Sequence, residues 1–259
     1  MKVLVIPDVH LKPAIFLRAD EWMQSGVAER VVCLMDIADD WGLQDFDAAY
    51  QQAYDTAISF AEKYQNTLWC YGNHDVSYLW EQERHSGYTP GRKKTVCKKL
   101  RRLCEVLSDE GQLAFVHRID NIIFSHGGLT DAFVKENVPE SLYDDPDKVI
   151  QIINSLGCEE MWQDHSPIWH RPQYRTDTMY MEQGFLQVVG HTPVPQIEQC
   201  MNTLFCDVFS VSLNGQPSGL QEYAVVDTIT KEYSTVEGRI DNNRGAFFQL
   251  SKQETVNDL

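Results

Sequence analysis

Short apolar runs closed by polar turns recur along this chain. Residues 3–6, 31–35, 67–71, 122–124 and 185–189 are mostly apolar, and each is short enough for a buried strand rather than a helix. Between them, residues 14–25, 48–64 and 95–107 place apolar side chains three and four apart, the spacing of an amphipathic helix. Runs at 203–208 and 221–226, and a weaker one at 231–236, predict further strands, with Asn214-Gly215 as a turn. Strand and helix alternate early, and strands dominate the last third. That order predicts an α/β protein whose sheet layers are covered on the outside by helices. Residues 130–181 are less regular and carry Pro139, Pro146, Pro167 and Pro172. They read as a helical insertion or lid within one domain spanning 1–259. The polar tail at 251–259 is expected to fray.

The segments just past the early strands are polar in a consistent way. Pro7-Asp8-Val9-His10 comes after the first, Asp36-Ile37-Ala38-Asp39-Asp40 after the second and Gly72-Asn73-His74-Asp75 after the third. Ser125-His126-Gly127-Gly128 and Gly190-His191-Thr192-Pro193 come after the fourth and fifth. Each segment sets an Asp, Asn or His at the carboxyl end of a strand, the edge where open α/β sheets bind ligands. Asp and Asn offer hard oxygens and His offers nitrogen. This mixture without thiolate suits Mn, Fe or Zn better than Ca or Mg. Asp8 and His10 are two apart and would share a face of a regular strand. Six ligand candidates are too many for one cation that must also admit substrate. They suit two cations bridged by a carboxylate, about 4 Å apart. Glycines beside Asn73, His126 and His191 would let the backbone turn sharply and approach closely.

The ordered series resembles the calcineurin-like metallophosphoesterase superfamily, whose pattern is D-x-H, G-D-x-x-D-R-G, G-N-H-[DE], H-G and G-H-T. It is most similar to the PPP-type serine/threonine phosphatases of the bacterial and phage branch, which also includes the symmetrical diadenosine tetraphosphatases. Other branches usually end in G-H-x-H, whereas Pro193 stands where that second His would be. The resemblance runs from about residue 2 to 207. It implies a four-layer αββα sandwich of two mixed sheets flanked by helices, the metallo-dependent phosphatase fold. It also implies that Asp8 and His10 hold a first metal, that Asp36 bridges, and that Asn73, His126 and His191 hold a second. By the same resemblance His74 is the general acid, Asp39 orients it and Asp75 is an outer support. Trp169-His170-Arg171 is similar to a W-x-R element of the phage branch, which makes Arg171 the phosphate clamp.

Two positions depart from the pattern. Met35 replaces the Gly of G-D, a change of packing. Asp40 replaces the Arg of D-R-G, which grips phosphate in the family. Either Asp40 turns outward, or a cation such as Arg84, Arg92, Lys93 or Lys94 substitutes. The reaction expected is hydrolysis of phosphate monoesters, as in phosphoprotein phosphatases, by a hydroxide bridging two divalent cations, with Mn first and Fe or Zn as alternatives. The competing readings are a nucleotide or diadenosine polyphosphate hydrolase, and a degenerate protein that keeps metal without turnover. His85, His117 and His165 match no motif and read as surface or packing residues. Trp22, Trp41, Trp69, Trp80 and Trp162 read as core or lid packing. Trp169 and His170 flank the clamp.

Charge and composition narrow the partners. The 259 residues carry a formal net charge of −16, which repels polyanions and excludes broad nucleic-acid binding. Seven basic residues nevertheless crowd between Arg92 and Arg102, either as a solvated helix face or as a positive rim for anionic substrate. No apolar stretch reaches the roughly 18 residues of a membrane span. The N-terminal apolar run is too short for a signal core. Seven cysteines without a C-x-x-C pair read as reduced core residues of a cytoplasmic protein.

Overall fold

A computed structural model describes residues 1–240 except Glu81, Ser108, Glu110, Arg175 and Thr176, so the tail at 251–259 lies outside the described residues. Strand β1 (Lys2–Ile6), helix α1 (Ala14–Gln24), β2 (Arg30–Cys33), α2 (Asp47–Lys63) and β3 (Thr67–Cys70) alternate as the apolar pattern predicts. Helices α3 (Asn73–Leu79) and α4 (Lys93–Val106) lead to β4 (Leu113–Ala114), β5 (Val116–Ile119) and β6 (Ile122–Ser125). Three helices, α5 (Asp131–Asn137), α6 (Pro146–Asn154) and α7 (Cys158–Met161), occupy much of the irregular stretch. The chain closes with β7 (Leu186–Val189), β8 (Glu198–Cys200), β9 (Thr203–Phe205), β10 (Glu222–Asp227) and β11 (Tyr233–Glu237).

The strands form two mixed sheets, ordered β11-β10-β1-β2-β3-β4 and β5-β6-β7-β9-β8. In the first, β1 to β4 are mutually parallel and β10 joins β1 antiparallel. In the second, β6, β7 and β9 are parallel, with β5 and β8 as antiparallel edges. Alternation along β6 shows how the layers meet. Ile122 and Phe124 join the large core shared with β1, β2, α1 and α2, while Ile123 joins Phe133, Val149 and Ile153 of α5 and α6 on the opposite face. Helices thus flank both sheets, the architecture that the resemblance implies. No helix among the described residues is long and apolar enough to cross a membrane.

Local chemistry accounts for several element ends. Helix α1 stops at Ser25 because Gly26 takes a left-handed φ of 76°. Helix α6 opens on Pro146, with the Asp145 carboxylate accepting from the Lys148 amide. The basic run lies along an exposed face of α4, where Lys99 pairs with Asp55 and Arg102 with Glu62 of α2; Arg92, just before α4, pairs with Asp47. Such exposed pairs contribute little individually.

His117 on β5 is buried and its Nε2–H donates to the Trp69 carbonyl at 3.0 Å. Burial lowers its pKa from the ordinary 6.5 to about 4. The unfolded chain therefore binds a proton at this site that the folded protein refuses. Stability from this group is intact above about pH 6.5 and falls as pH drops toward about 4, by roughly 3 kcal/mol in all. His117→Gln keeps a donor without the titration. In urea melts with a chelator present, the loss of stability on acidification is expected to be smaller in His117→Gln than in the parent by about that amount.

Candidate metal centre

The parallel pairing of β1 with β2 does not stop at the strand ends. The amides of Val9, His10 and Leu11 donate to the carbonyls of Met35, Asp36 and Ile37 at 3.0, 2.8 and 3.0 Å. Two polar loops are thereby laid side by side, with Asp8 and Asp36 adjacent. Their backbones are contorted: His10, Met35, Asp36 and Asp39 have φ of 42°, 57°, 42° and 61°, and His191 on another loop has 65°. Left-handed conformations cost energy for these side chains and tend to gather where geometry serves function. They also correct one expectation. Asp8 and His10 lie beyond β1, so they do not meet by sharing a strand face.

All six ligand candidates come from the carboxyl ends of strands, as the sequence predicts. Asp8 and His10 follow β1, Asp36 follows β2, Asn73 opens α3 after β3, His126 follows β6 and His191 follows β7. Asp8, Asp36, Asn73, His126 and His191 are all buried. His126 Nε2 lies 3.1 Å from Asp36 Oδ2, 3.1 Å from Asn73 Oδ1 and 4.0 Å from Asp8 Oδ2. The His191 amide donates to Asp8 Oδ2 at 2.9 Å, and the His74 amide to Asp36 Oδ1 at 3.0 Å. Ligand atoms of His10, Asp36 and His74 fall within 4.8 Å of one another, and so do those of Asp36, His126 and His191. Asp36 is common to both groups.

Two glycines permit this approach, though not through unusual dihedrals. A Cβ at Gly72 would lie 1.9 Å from Asp36 Oδ1, and one at Gly190 would lie 2.0 Å from Asp8 Oδ1. Close approach, and not turning, is what requires glycine at these two positions.

The donor set fits divalent cations. His10 Nδ1–H donates to the Asp39 carbonyl at 3.0 Å and His126 Nδ1–H to the Leu34 carbonyl at 2.9 Å. Both rings thus keep Nε2 as the lone-pair nitrogen in the neutral form, the arrangement typical of metal-binding histidines. Asp8 Oδ1 and His191 Nε2 are buried without a hydrogen-bond partner among the described residues, a costly state unless a further group satisfies them. Burial, with Asp207 and Asp36 nearby, pushes the Asp8 carboxyl up, whereas His126 and His74 outweigh burial at Asp36 and hold it down. Burial opposes charge on His126, yet Asp36 and Asp8 raise it to about 9. Burial, then His126 and Arg171, keep His191 well below its ordinary value.

His10, Asp36 and His191 also line a cleft of about 240 Å³, and the remaining predicted residues line it with them or brace it. His74 Nδ1 is 3.4 Å from Asp39 Oδ2, and its Nε2 is 4.0 Å from Asp36 Oδ2. Asp39 also accepts from Tyr50 and, at 2.7 Å, from Tyr78. Burial disfavours its charge, but hydrogen bonds from His74 and His85 hold the carboxyl well below the carboxylate range. Arg171 lines the cleft, anchored by Nη1 to the His191 carbonyl at 3.0 Å and Thr192 Oγ1 at 2.9 Å. Asp75 is a brace: it accepts from the Ile37 and Ala38 amides and, at 2.8 Å, from Tyr54. Burial and then Asp36 raise its pKa to about 7.

Several expectations need correction. Asp40 does not turn outward; it is buried, lines the cleft and pairs with buried Lys12 at 3.1 Å. Lys12 Nζ also donates to the His10 carbonyl at 3.1 Å. Arg92 is held by Asp47 and by the Gln44 and Asp45 carbonyls, and Arg84 lies over the Tyr88 ring. Trp41 is not core packing; it is 45% exposed at the cleft. His170 is fully buried, while Trp169 meets the His191 ring edge-on at 5.6 Å. His85 is neither surface nor packing, because its Nε2 lies 2.9 Å from Asp39 Oδ2. Asp207, which no sequence motif marks, is buried at the cleft just beyond β9, accepting from Ser210 Oγ at 2.8 Å. The strand-end rule that found the others applies equally to it.

Residues 1–195 match the family described as calcineurin-like phosphoesterase. Among solved structures, the chain is similar to a cold-active protein-tyrosine phosphatase from a psychrophilic Shewanella species. The identity is 15% and the TM-score 0.55, covering 91% of this chain and 80% of that one. A metallophosphoesterase from Sphaerobacter thermophilus aligns at 13% identity and TM-score 0.47, covering 97% and 94%. No curated protein gives a significant match.

Proposed function

This chain belongs to the calcineurin-like phosphoesterases, a family of metal-dependent hydrolases, and from that premise we propose that it hydrolyses phosphate monoesters in the manner of PPP-type phosphatases. Asp8, His10 and Asp36 would hold one divalent cation, and Asp36, Asn73, His126 and His191 a second, with manganese suited to the mixed oxygen and nitrogen donors. Bound cations would supply Lewis-acid neutralisation of phosphoryl oxygens and acidify water. The chain's own residues do the rest. Arg171 binds the phosphoryl oxygens across the cleft from Asp36 and neutralises charge as it develops. A water oxygen forms its bond to phosphorus as the bond to the leaving oxygen breaks. His74 Nε2 gives its proton to that oxygen, while Asp39 accepts from Nδ1 and holds the ring.

The observation that carries this reading is that Asp36 belongs to both groups of ligand atoms. A carboxylate in that position is what two cations sharing a site require. The test begins with protein stripped by chelator and reloaded with Mn(II). Turnover of p-nitrophenyl phosphate is expected to disappear and return with the metal. Parallel assays with a phosphoserine peptide and with diadenosine tetraphosphate separate the monoesterase from the anhydride hydrolase. A loaded protein that turns over none of the three would sink the proposal.

A further inference from the structure

The segment between α3 and α4 carries His85 into the site from a part of the sequence with no motif. His85 is buried at 6% exposure. Its amide donates to Ser77 Oγ at 3.3 Å. Its ring makes two hydrogen bonds of opposite sense. The Gly87 amide, which can only donate, points at Nδ1 from 2.9 Å. Nδ1 must therefore carry the lone pair, and the ring proton resides on Nε2. That Nε2–H donates to Asp39 Oδ2 at 2.9 Å, the same oxygen that His74 Nδ1 approaches at 3.4 Å. The two imidazoles are in close, tilted contact, with centroids 3.7 Å apart and planes 40° apart.

Asp39 is thus held from both sides. Tyr50 and Tyr78 occupy Oδ1, and His85 and His74 share Oδ2. We infer that His85 is a positioning residue for proton donation: it fixes Asp39 Oδ2 and packs against the His74 ring, so that Nε2 of His74 is held toward the leaving oxygen. The inference rests on the reading of His74 as general acid. A third cation held by Asp39, His74 and His85, whose ligand atoms lie within 4.8 Å, is the rival account. It conflicts with the tautomer. A histidine that binds metal through Nε2 places its proton on Nδ1 and donates it outward, but here Gly87 N–H already points at Nδ1.

The test compares His85→Asn with His85→Gln. The Asn amide overlays the Nδ1 side of imidazole and cannot reach Asp39, whereas the Gln amide reaches Oδ2 as Nε2 does. Phenyl phosphate, a poor leaving group, and dinitrophenyl phosphate, a good one, are the substrates. His85→Asn is expected to lower kcat on phenyl phosphate by roughly 10- to 100-fold, with KM, Mn content and dinitrophenyl phosphate turnover near parent values. His85→Gln is expected to restore most of the loss. Equal losses on both substrates, or a fall in bound Mn, would assign His85 a structural or ligand role and overturn the inference. His74→Asn is run beside them. If it discriminates between the substrates and His85→Asn does not, only the His85 inference fails. If His74→Asn does not discriminate, the acid reading falls and takes this inference with it.

Discussion

Asp36→Asn is expected to reduce hydrolysis of p-nitrophenyl phosphate by at least ~10³-fold, at a metal concentration that saturates the parent. The substitution preserves shape. An Asn Oδ1 can still accept from the His74 amide, which now reaches Asp36 Oδ1 at 3.0 Å. What it removes is charge at the one position common to both ligand groups. A unit charge about 4 Å from a monovalent partner, at an effective dielectric near 20, contributes roughly 4 kcal/mol, which is about 10³-fold in an equilibrium. A divalent partner would feel more, and the proposed site holds two. Loss of Asp36 also removes what raises His126 most against its burial, so His126 is expected to titrate lower in metal-free Asp36→Asn. Metal content by plasma emission and kcat should fall together. A variant that keeps two metals and parental turnover would show that Asp36 does not bridge.

The resemblance and the apolar periodicity carried most of the fold and pointed to all six ligand candidates, for a physical reason. Parallel strands buried on both faces must be continuous apolar runs, so β1, β2 and β3 are visible. Side chains that serve chemistry must then sit at the carboxyl edge, where they contribute nothing to a core. Elements without that contrast were invisible. All three residues of β8 are exposed, so it has no apolar run to read. Helix α3 begins on Asn73 itself, inside the motif. The pairing of Asp40 with Lys12 escaped because it depends on the path of two loops lashed together beyond β1 and β2. A charge-by-charge comparison sees only a carboxylate where a cation was expected. His85 escaped because nothing in its neighbourhood is periodic, and its tie to Asp39 spans 46 residues.

His74→Asn is expected to lower turnover of phenyl phosphate by about 10²- to 10⁴-fold while changing dinitrophenyl phosphate by about tenfold or less. The asymmetry follows from where the proton is needed. A phenolate leaves poorly unless it is protonated as the bond to phosphorus breaks. A dinitrophenolate is stable as an anion and needs no acid. Asn overlays the Nδ1 half of the ring, keeping the contact with Asp39, and lacks the Nε2 that carries the proton. The loss is therefore one of proton donation and not of the site's architecture. His74 also lies within ligand reach of His10 and Asp36, so a metal-holding role must be separated from an acid role. Leaving-group dependence does this: a residue that holds metal lowers both substrates together, because both need the same phosphoryl neutralisation. Equal losses accompanied by a missing equivalent of Mn would move His74 from the acid to the metal centre, and unchanged turnover on phenyl phosphate would remove it from the mechanism.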